Sequence, residues 1–246
     1  MTDHTPFFVT GDQRSSRWVI TADHARNTVP DFVGGDLGLP AADMTRHIAF
    51  DPGAEGVALA LGELLDAPVI CANFSRLVID PNRGSDDPTL VMQLYDGTII
   101  PANRGISEAA IKERADRLYH PYHNALQGLM DAREAPILIA IHSFTPQLKG
   151  RAPRPWKVGV LFAKDTRLSD PFIAELQKNT SLTVGINEPY VGHLPGDSVD
   201  THALKDGHHN TLIELRNDLI ETEAQQAEWA ALLAPVLITA LDKAKD

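Results

Sequence analysis

Apolar positions along the chain fall into short continuous runs and longer stretches with a helical period. Residues 137–142 (ILIAIH) are apolar at nearly every position, the pattern of a strand covered on both faces of a parallel sheet. Residues 68–72 (PVICA), 157–162, 182–186 and 211–216 (TLIELR) read as further strands, and 17–21 (RWVIT) and 77–79 as shorter β-rich runs. Residues 51–65 repeat apolar side chains at Ala54, Val57, Ala58, Leu61 and Leu65, the stripe of an amphipathic helix. Asp51 suits its N-cap and Pro52 its first turn. Residues 41–50 predict a short helix with Asp43 near its start. Residues 107–133 predict a long one capped by Ser107, with a kink or break near His120 because Pro121 falls inside it. A helix over 170–179 separates two strands, and an amphipathic helix over 221–244 closes the chain. Residues 84–105, rich in Asp, Pro and Gly, predict a long polar loop, whose length points to function or disorder. Strands alternating with helices predict an α/β fold, a three-layer sandwich around a central mixed, mostly parallel sheet. At 246 residues, one domain is expected over residues 1–246.

Composition narrows the function classes. The net charge of −11 argues against nucleic-acid binding, which needs a basic face. It leaves room for an anionic substrate, because a few arginines can reverse the sign inside a cleft. The single cysteine, Cys71, excludes an intrachain disulfide framework and a cysteine zinc cluster. It sits in an apolar run and reads as a core residue. Residues 1–10 carry no basic start and no long apolar stretch, and no window reaches the roughly 18 apolar residues of a membrane span. A cytoplasmic protein with no membrane partner is expected.

Candidate chemistry lies at strand ends, where open α/β sheets build their sites. His24 follows the run at 17–21, His142 closes the run at 137–141, and Glu214 sits inside the run at 211–216. Imidazoles and carboxylates in such places are costly unless paired or bound to metal, and three of them that could converge are better explained by a site. Two imidazoles and one oxygen ligand can hold Zn2+ tetrahedrally with a position left for water. A carboxylate outside the ligand set must then move the water's proton to the leaving nitrogen, and Glu214 suits that role. The third ligand is open between Asn27, three residues beyond His24, and Asp51. An amide is a poor zinc ligand, which favours Asp51.

The stretches His24-Ala25-Arg26-Asn27, Ser75-Arg76-Leu77-Val78-Ile79-Asp80-Pro81-Asn82-Arg83, Ile141-His142-Ser143, Asn187-Glu188-Pro189-Tyr190 and residues 213–219 (IELRNDL) together resemble the N-formylglutamate amidohydrolase family. The resemblance runs from about residue 20 to 220. It implies a zinc-carboxypeptidase-like fold, one metal ion at His24 and His142, Glu214 as general base, and Asn82 with Arg83 on a substrate carboxylate. It also implies hydrolysis of a small acidic N-acyl amino acid and a place in histidine degradation. An arginine fork matches a planar carboxylate. The carboxypeptidase metal motif has Glu three residues after its His, whereas this chain has Asn27, which moves the expected third ligand to Asp51. Arg76 is a second candidate carboxylate or oxyanion group.

Other signals are weaker. Tyr190 could close over substrate. Arg216, two residues after Glu214, shares its strand face and could orient it or bind substrate. His47 precedes Asp51 by four residues and could support it. His120, His123, His202, His208, His209, Asn103 and Arg104 are open between site and surface roles. The rival readings are a hydrolase of another acidic N-acyl compound or short peptide, and a non-catalytic binding protein on the same scaffold.

Overall fold

The computed structural model describes residues 4–244. Its strands in chain order are β1 (Phe7–Thr10), β2 (Trp18–Ala22), β3 (Val69–Ala72), β4 (Leu94–Tyr95), β5 (Thr98–Ile99), β6 (Ile137–Phe144), β7 (Val158–Leu161), β8 (Val184–Ile186) and β9 (His209–Arg216). Seven of them form one sheet in the order β1-β3-β2-β6-β9-β7-β8, and β4 and β5 form a separate hairpin. The neighbours β3-β2, β2-β6, β6-β9 and β7-β8 are parallel, while β1-β3 and β7-β9 are antiparallel. The sheet is therefore mixed and mostly parallel, as the apolar runs predict.

Alternation along the central strands divides the core. Ile20, Ile139, Ile141, Ile213 and Leu215 face one apolar cluster, which includes residues of the helices α2 (Ala54–Leu64), α5 (Ser169–Leu176) and α6 (Glu223–Lys243). Val19, Leu138, Ala140 and Leu212 face the other, with Tyr122, Leu126 and Met130 of α4 (His120–Asp131). These are the three layers. Fully buried Phe172, Leu233 and Leu237 anchor the first face, each contributing about 1.5–3 kcal/mol of transfer free energy. His142 and Glu214 have the parity of Leu138 and Leu212, so both open onto the second face at the carboxyl ends of the parallel strands.

The structure departs from the pattern reading at several points. The helix expected over residues 41–50 is only the four-residue α1 (Ala41–Met44), and the one expected from residue 51 begins at Ala54, with Gly53 as N-cap at φ 80° and no side-chain cap. Asp51 is thereby free of capping, and its carboxylate turns elsewhere. Residues 77–79 form no strand, and a turn covers residues 76–78. Ser75 directs it, its carbonyl accepting the Val78 N–H at 2.9 Å and its hydroxyl the Leu77 N–H at 3.2 Å, and the apolar run is explained by burial alone. Residues 84–105 hold the β4–β5 hairpin and a short 3₁₀ turn at Pro101–Asn103. Ser107 does cap its helix, accepting the Ala110 N–H at 3.2 Å. There is no break at Pro121. A π-helical segment, Ala115–Tyr119, joins α3 (Glu108–Arg114) to α4, and such a bulge is one way a helix absorbs a proline's missing N–H. Strand β1 was not foreseen. It pairs only with β3, at the sheet edge, where a short segment shows little pattern of its own.

Candidate active site

Strand β2 runs straight into Asp23 and His24, and β6 and β9 lie side by side with His142 opposite Glu214 in register. Asp51 is brought in by the turn ahead of α2, its backbone N–H held by the His24 carbonyl at 2.8 Å. Its Oδ2 lies 3.3 Å from His24 Nδ1, 2.9 Å from His142 Nδ1 and 3.2 Å from the donating N–H of Ser143. One ligand atom from each of His24, Asp51 and His142 can be chosen so that all lie within 4.8 Å of one another. The ring centroids of the two histidines are 4.9 Å apart.

The far side of each imidazole explains its orientation. His24 Nε2 is 2.7 Å from Asp80 Oδ1, and His142 Nε2 is 3.4 Å from Asp23 Oδ2. Carboxylates in those places hold a ring proton on Nε2 and turn Nδ1 toward the centre, where it can act as a ligand atom once deprotonated. Both carboxylates are themselves fixed. Asp23 accepts from Thr21 at 2.6 Å and from the Tyr122 hydroxyl. Asp80 accepts from Arg76 at 2.8 and 3.2 Å and from the Asn82 N–H at 2.9 Å.

The electrostatics favour a cation at the centre. Burial alone would raise the Asp51, Asp23 and Asp80 carboxyls, yet all three are held below the usual range. His24 and His142 outweigh burial at Asp51, His142 at Asp23, and Arg76 and His24 at Asp80. Burial disfavours a charged His142, but Asp23 and Asp51 on its two sides lift it to about 10. His47, its Nδ1 3.3 Å from Asp51 Oδ1, is pushed down to about 4 by burial and is neutral. Burial, reinforced by Asp51 and opposed by His142, raises Glu214 to about 8. Asp51 Oδ1 and Glu214 Oε2 are buried without a hydrogen-bond partner. Two imidazole nitrogens turned to one point, a carboxylate between them and the surrounding buried carboxylates fit a divalent metal, which would displace the His142 proton.

These groups line a cavity of about 410 Å³ with Arg76, Asn82, Arg83, Tyr190 and Asp197. Arg83 donates to the Asn82 carbonyl at 2.7 Å and to Thr89 at 3.2 Å, and no carboxylate pairs with it among the described residues. Arg76 pairs with Asp80 at 2.8 Å and approaches Asp51 Oδ1 at 3.6 Å while lining the cavity. The Tyr190 hydroxyl lies 3.4 Å from His47 Nε2 and accepts from Arg154 at 3.3 Å.

Two candidates are not brought to the site. Asn27 donates its amide to the Met44 carbonyl at 2.7 Å and is absent from the cavity wall. Its spacing from His24 would suit a helix, but the chain there is an irregular loop. Arg216 pairs with Asp218 at 2.8 Å and also lies off the wall. Arg154, which was not foreseen, takes the place beside Tyr190. His123 and His202 meet each other, Nδ1 to Nε2 at 2.8 Å, and His123 Nε2 donates to the Pro81 carbonyl at 3.0 Å, bracing the segment ahead of Asn82. His120 and Arg104 are exposed, His208 and His209 do not line the cavity, and Asn103 is a buried link between the carbonyls of Leu77 and Met92.

A family model described as N-formylglutamate amidohydrolase matches residues 16–221. The chain belongs to the N-formylglutamate amidohydrolase family. Membership makes it an amide hydrolase and sets aside the reading as a non-catalytic binding protein. The chain is 35% identical to a crystallised gene product of Agrobacterium tumefaciens, covering 98% of this chain and 96% of that one, with a TM-score of 0.90. It shares its fold with a crystallised N-formylglutamate amidohydrolase from Ralstonia eutropha JMP134, at 22% identity, 96% coverage of each chain and a TM-score of 0.71. No curated protein matches it. Among the described residues of this family member, no helix is long and apolar enough to cross a membrane.

Proposed function

We propose that the protein removes an N-formyl or similar N-acyl group from glutamate or a related acidic amino acid, with Zn2+ held by His24, Asp51 and His142. The observation that carries this is the gathering of those three ligands beside the unpartnered Glu214 carboxyl, in a cavity that also holds the Asn82–Arg83 pair. When bound, zinc supplies Lewis acidity, polarising the acyl carbonyl and making water nucleophilic near neutral pH. Asp80 and Asp23 keep the two imidazoles in the tautomer that ligation needs. Asn82 and Arg83 hold the substrate carboxylate, Arg83 by its fork. Glu214, its ionised form favoured by a dication at the three ligands, takes the attacking water's proton and passes it to the nitrogen as the C–N bond breaks. Tyr190, between His47 and Arg154, closes the cavity wall against bulk water. With an N-formyl substrate the products are formate and the free amino acid.

The test is formate release from N-formyl-L-glutamate by zinc-loaded protein, beside a panel of other N-acyl amino acids. Release from acidic members, lost in Arg83→Ala through a raised KM, supports the reading. Equal turnover of neutral and acidic members would contradict the carboxylate site.

A further inference from the structure

Asp197 lines the same cavity and takes no part in the chemistry above. It is 6% exposed. Its Oδ1 accepts the Asp200 N–H at 2.7 Å, the capping bond of a helical turn that starts at residue 198. That bond occupies one oxygen. The other has no protein partner, and no cationic side chain pairs with Asp197 among the described residues. Burial raises its carboxyl to about 6, so it is largely ionised at pH 7.5 and acts as an acceptor. The next residue's N–H lies 3.4 Å from Asn82 Oδ1. The charges of His142 and Asp23 also reach Asp197. It thus stands beside the carboxylate-binding pair on the wall of the cavity that the metal-ligand cluster also lines.

A buried ionised carboxylate facing a cavity needs a donor. An acidic N-acyl amino acid has only one at neutral pH. Its carboxylates and its acyl oxygen all accept, and only the amide N–H donates. A second carboxylate placed against Asp197 would set two like charges together at a residue only 6% exposed. We propose that Asp197 accepts the hydrogen bond of the scissile amide N–H, fixing the amide plane between the metal ligands and Asn82 and restricting the enzyme to secondary amides. This rests on the substrate reading above. After C–N cleavage the same oxygen faces the amine nitrogen, which receives its additional proton from Glu214.

The experiment compares kcat/KM for formate release from N-formyl-L-glutamate and N-formyl-N-methyl-L-glutamate, using the zinc-loaded wild type, Asp197→Ala and Asp197→Asn. The wild type is expected to lose about a hundredfold on N-methylation, the scale of a hydrogen bond to a charged group. Asp197→Ala is expected to lose roughly 10–100-fold on the N–H substrate and little on the methylated one, so that the discrimination collapses. Asp197→Asn keeps the capping oxygen but turns a donating N–H toward the substrate, so it should lose the discrimination as the alanine variant does while keeping the cap. It carries the comparison if the alanine variant proves unfolded by thermal melting or zinc content. Unchanged discrimination in the variants, or an equal loss on both substrates, would overturn the proposal and leave Asp197 as a helix cap. So would a variant that changes only the preference between N-formylglutamate and N-formylglutamine, because that places Asp197 on the side chain. If the zinc-loaded wild type releases no formate from N-formylglutamate, the substrate reading falls together with this one. Formate release with unaltered N-methyl discrimination overturns this one alone.

Discussion

Glu214 and the carboxylates behind the histidines can be separated by experiment, because they act on different quantities. Glu214→Gln keeps the shape and removes the base. Formate release should fall roughly a hundredfold to ten-thousandfold, with zinc content unchanged by metal analysis. Asp80→Asn still accepts a hydrogen bond but no longer holds the His24 ring proton by charge. Zinc affinity in a competition titration should weaken about 10–100-fold. A loss of stability with unchanged affinity would make Asp80 merely a partner for Arg76. The groups legible in sequence were those whose polarity breaks an apolar strand or follows its end, namely His24, His142 and Glu214. Asp23 and Asp80 escaped notice because each stands in a polar stretch where one more carboxylate looks ordinary. His120 and His123 were candidates, yet it is Tyr122 between them that reaches the site, donating to Asp23. Asn27 and Arg216 were misplaced because spacing along the chain says nothing of where a loop turns or which neighbour claims a side chain.

Between β2 and α2 the chain must deliver His24 and Asp51 to one point, and Gly53 makes that possible. Its φ is 80°, and an added Cβ would come within 2.3 Å of the Ile220 carbonyl oxygen. Gly53→Ala combines left-handed strain with a clash against the segment leading into α6. It should cost at least about 1 kcal/mol in chemical unfolding. Because Asp51 lies two residues upstream, zinc affinity should fall as well. Destabilisation without any effect on zinc would show that Asp51 is positioned independently of the turn. The strands and long helices were legible because their apolar period is long enough to see. The turn at residues 76–78 was not, because the three-residue buried run at 77–79 looks the same whether its backbone pairs in a ladder or bonds to a serine. The cap of α2 was misread for a related reason. Asp51 is a good capping residue by type, and only the folded chain shows its carboxylate drawn to two imidazoles instead.

For the whole molecule, buried titratable groups set opposing pH slopes in the metal-free protein. His142 and Glu214 are raised on folding, to about 10 and about 8. Their contributions are present at low pH and are lost as pH rises, over about 6.5–10 for His142 and 4.5–8 for Glu214. His47, His123 and His202 are lowered to about 4, chiefly by burial, so their contributions are lost as pH falls from about 6.5 to 4. The melting temperature of the stripped protein should therefore peak near pH 6–7 and decline on both sides, which a differential scanning calorimetry series checks. A flat profile would contradict the burial assigned to these groups. A divalent ion bound at Nδ1 would displace the His142 proton, so zinc affinity should rise with pH across pH 6–8.

The account stands on one divalent ion at His24, Asp51 and His142 serving amide hydrolysis. It is tested most directly by titrating chelator-stripped protein with zinc while following formate release from N-formyl-L-glutamate. Activity should be absent at the start, rise in proportion to added zinc and level off at one zinc per chain, with His142→Ala showing no such rise. Full formate release from protein free of metal, or an identical titration in His142→Ala, would contradict it.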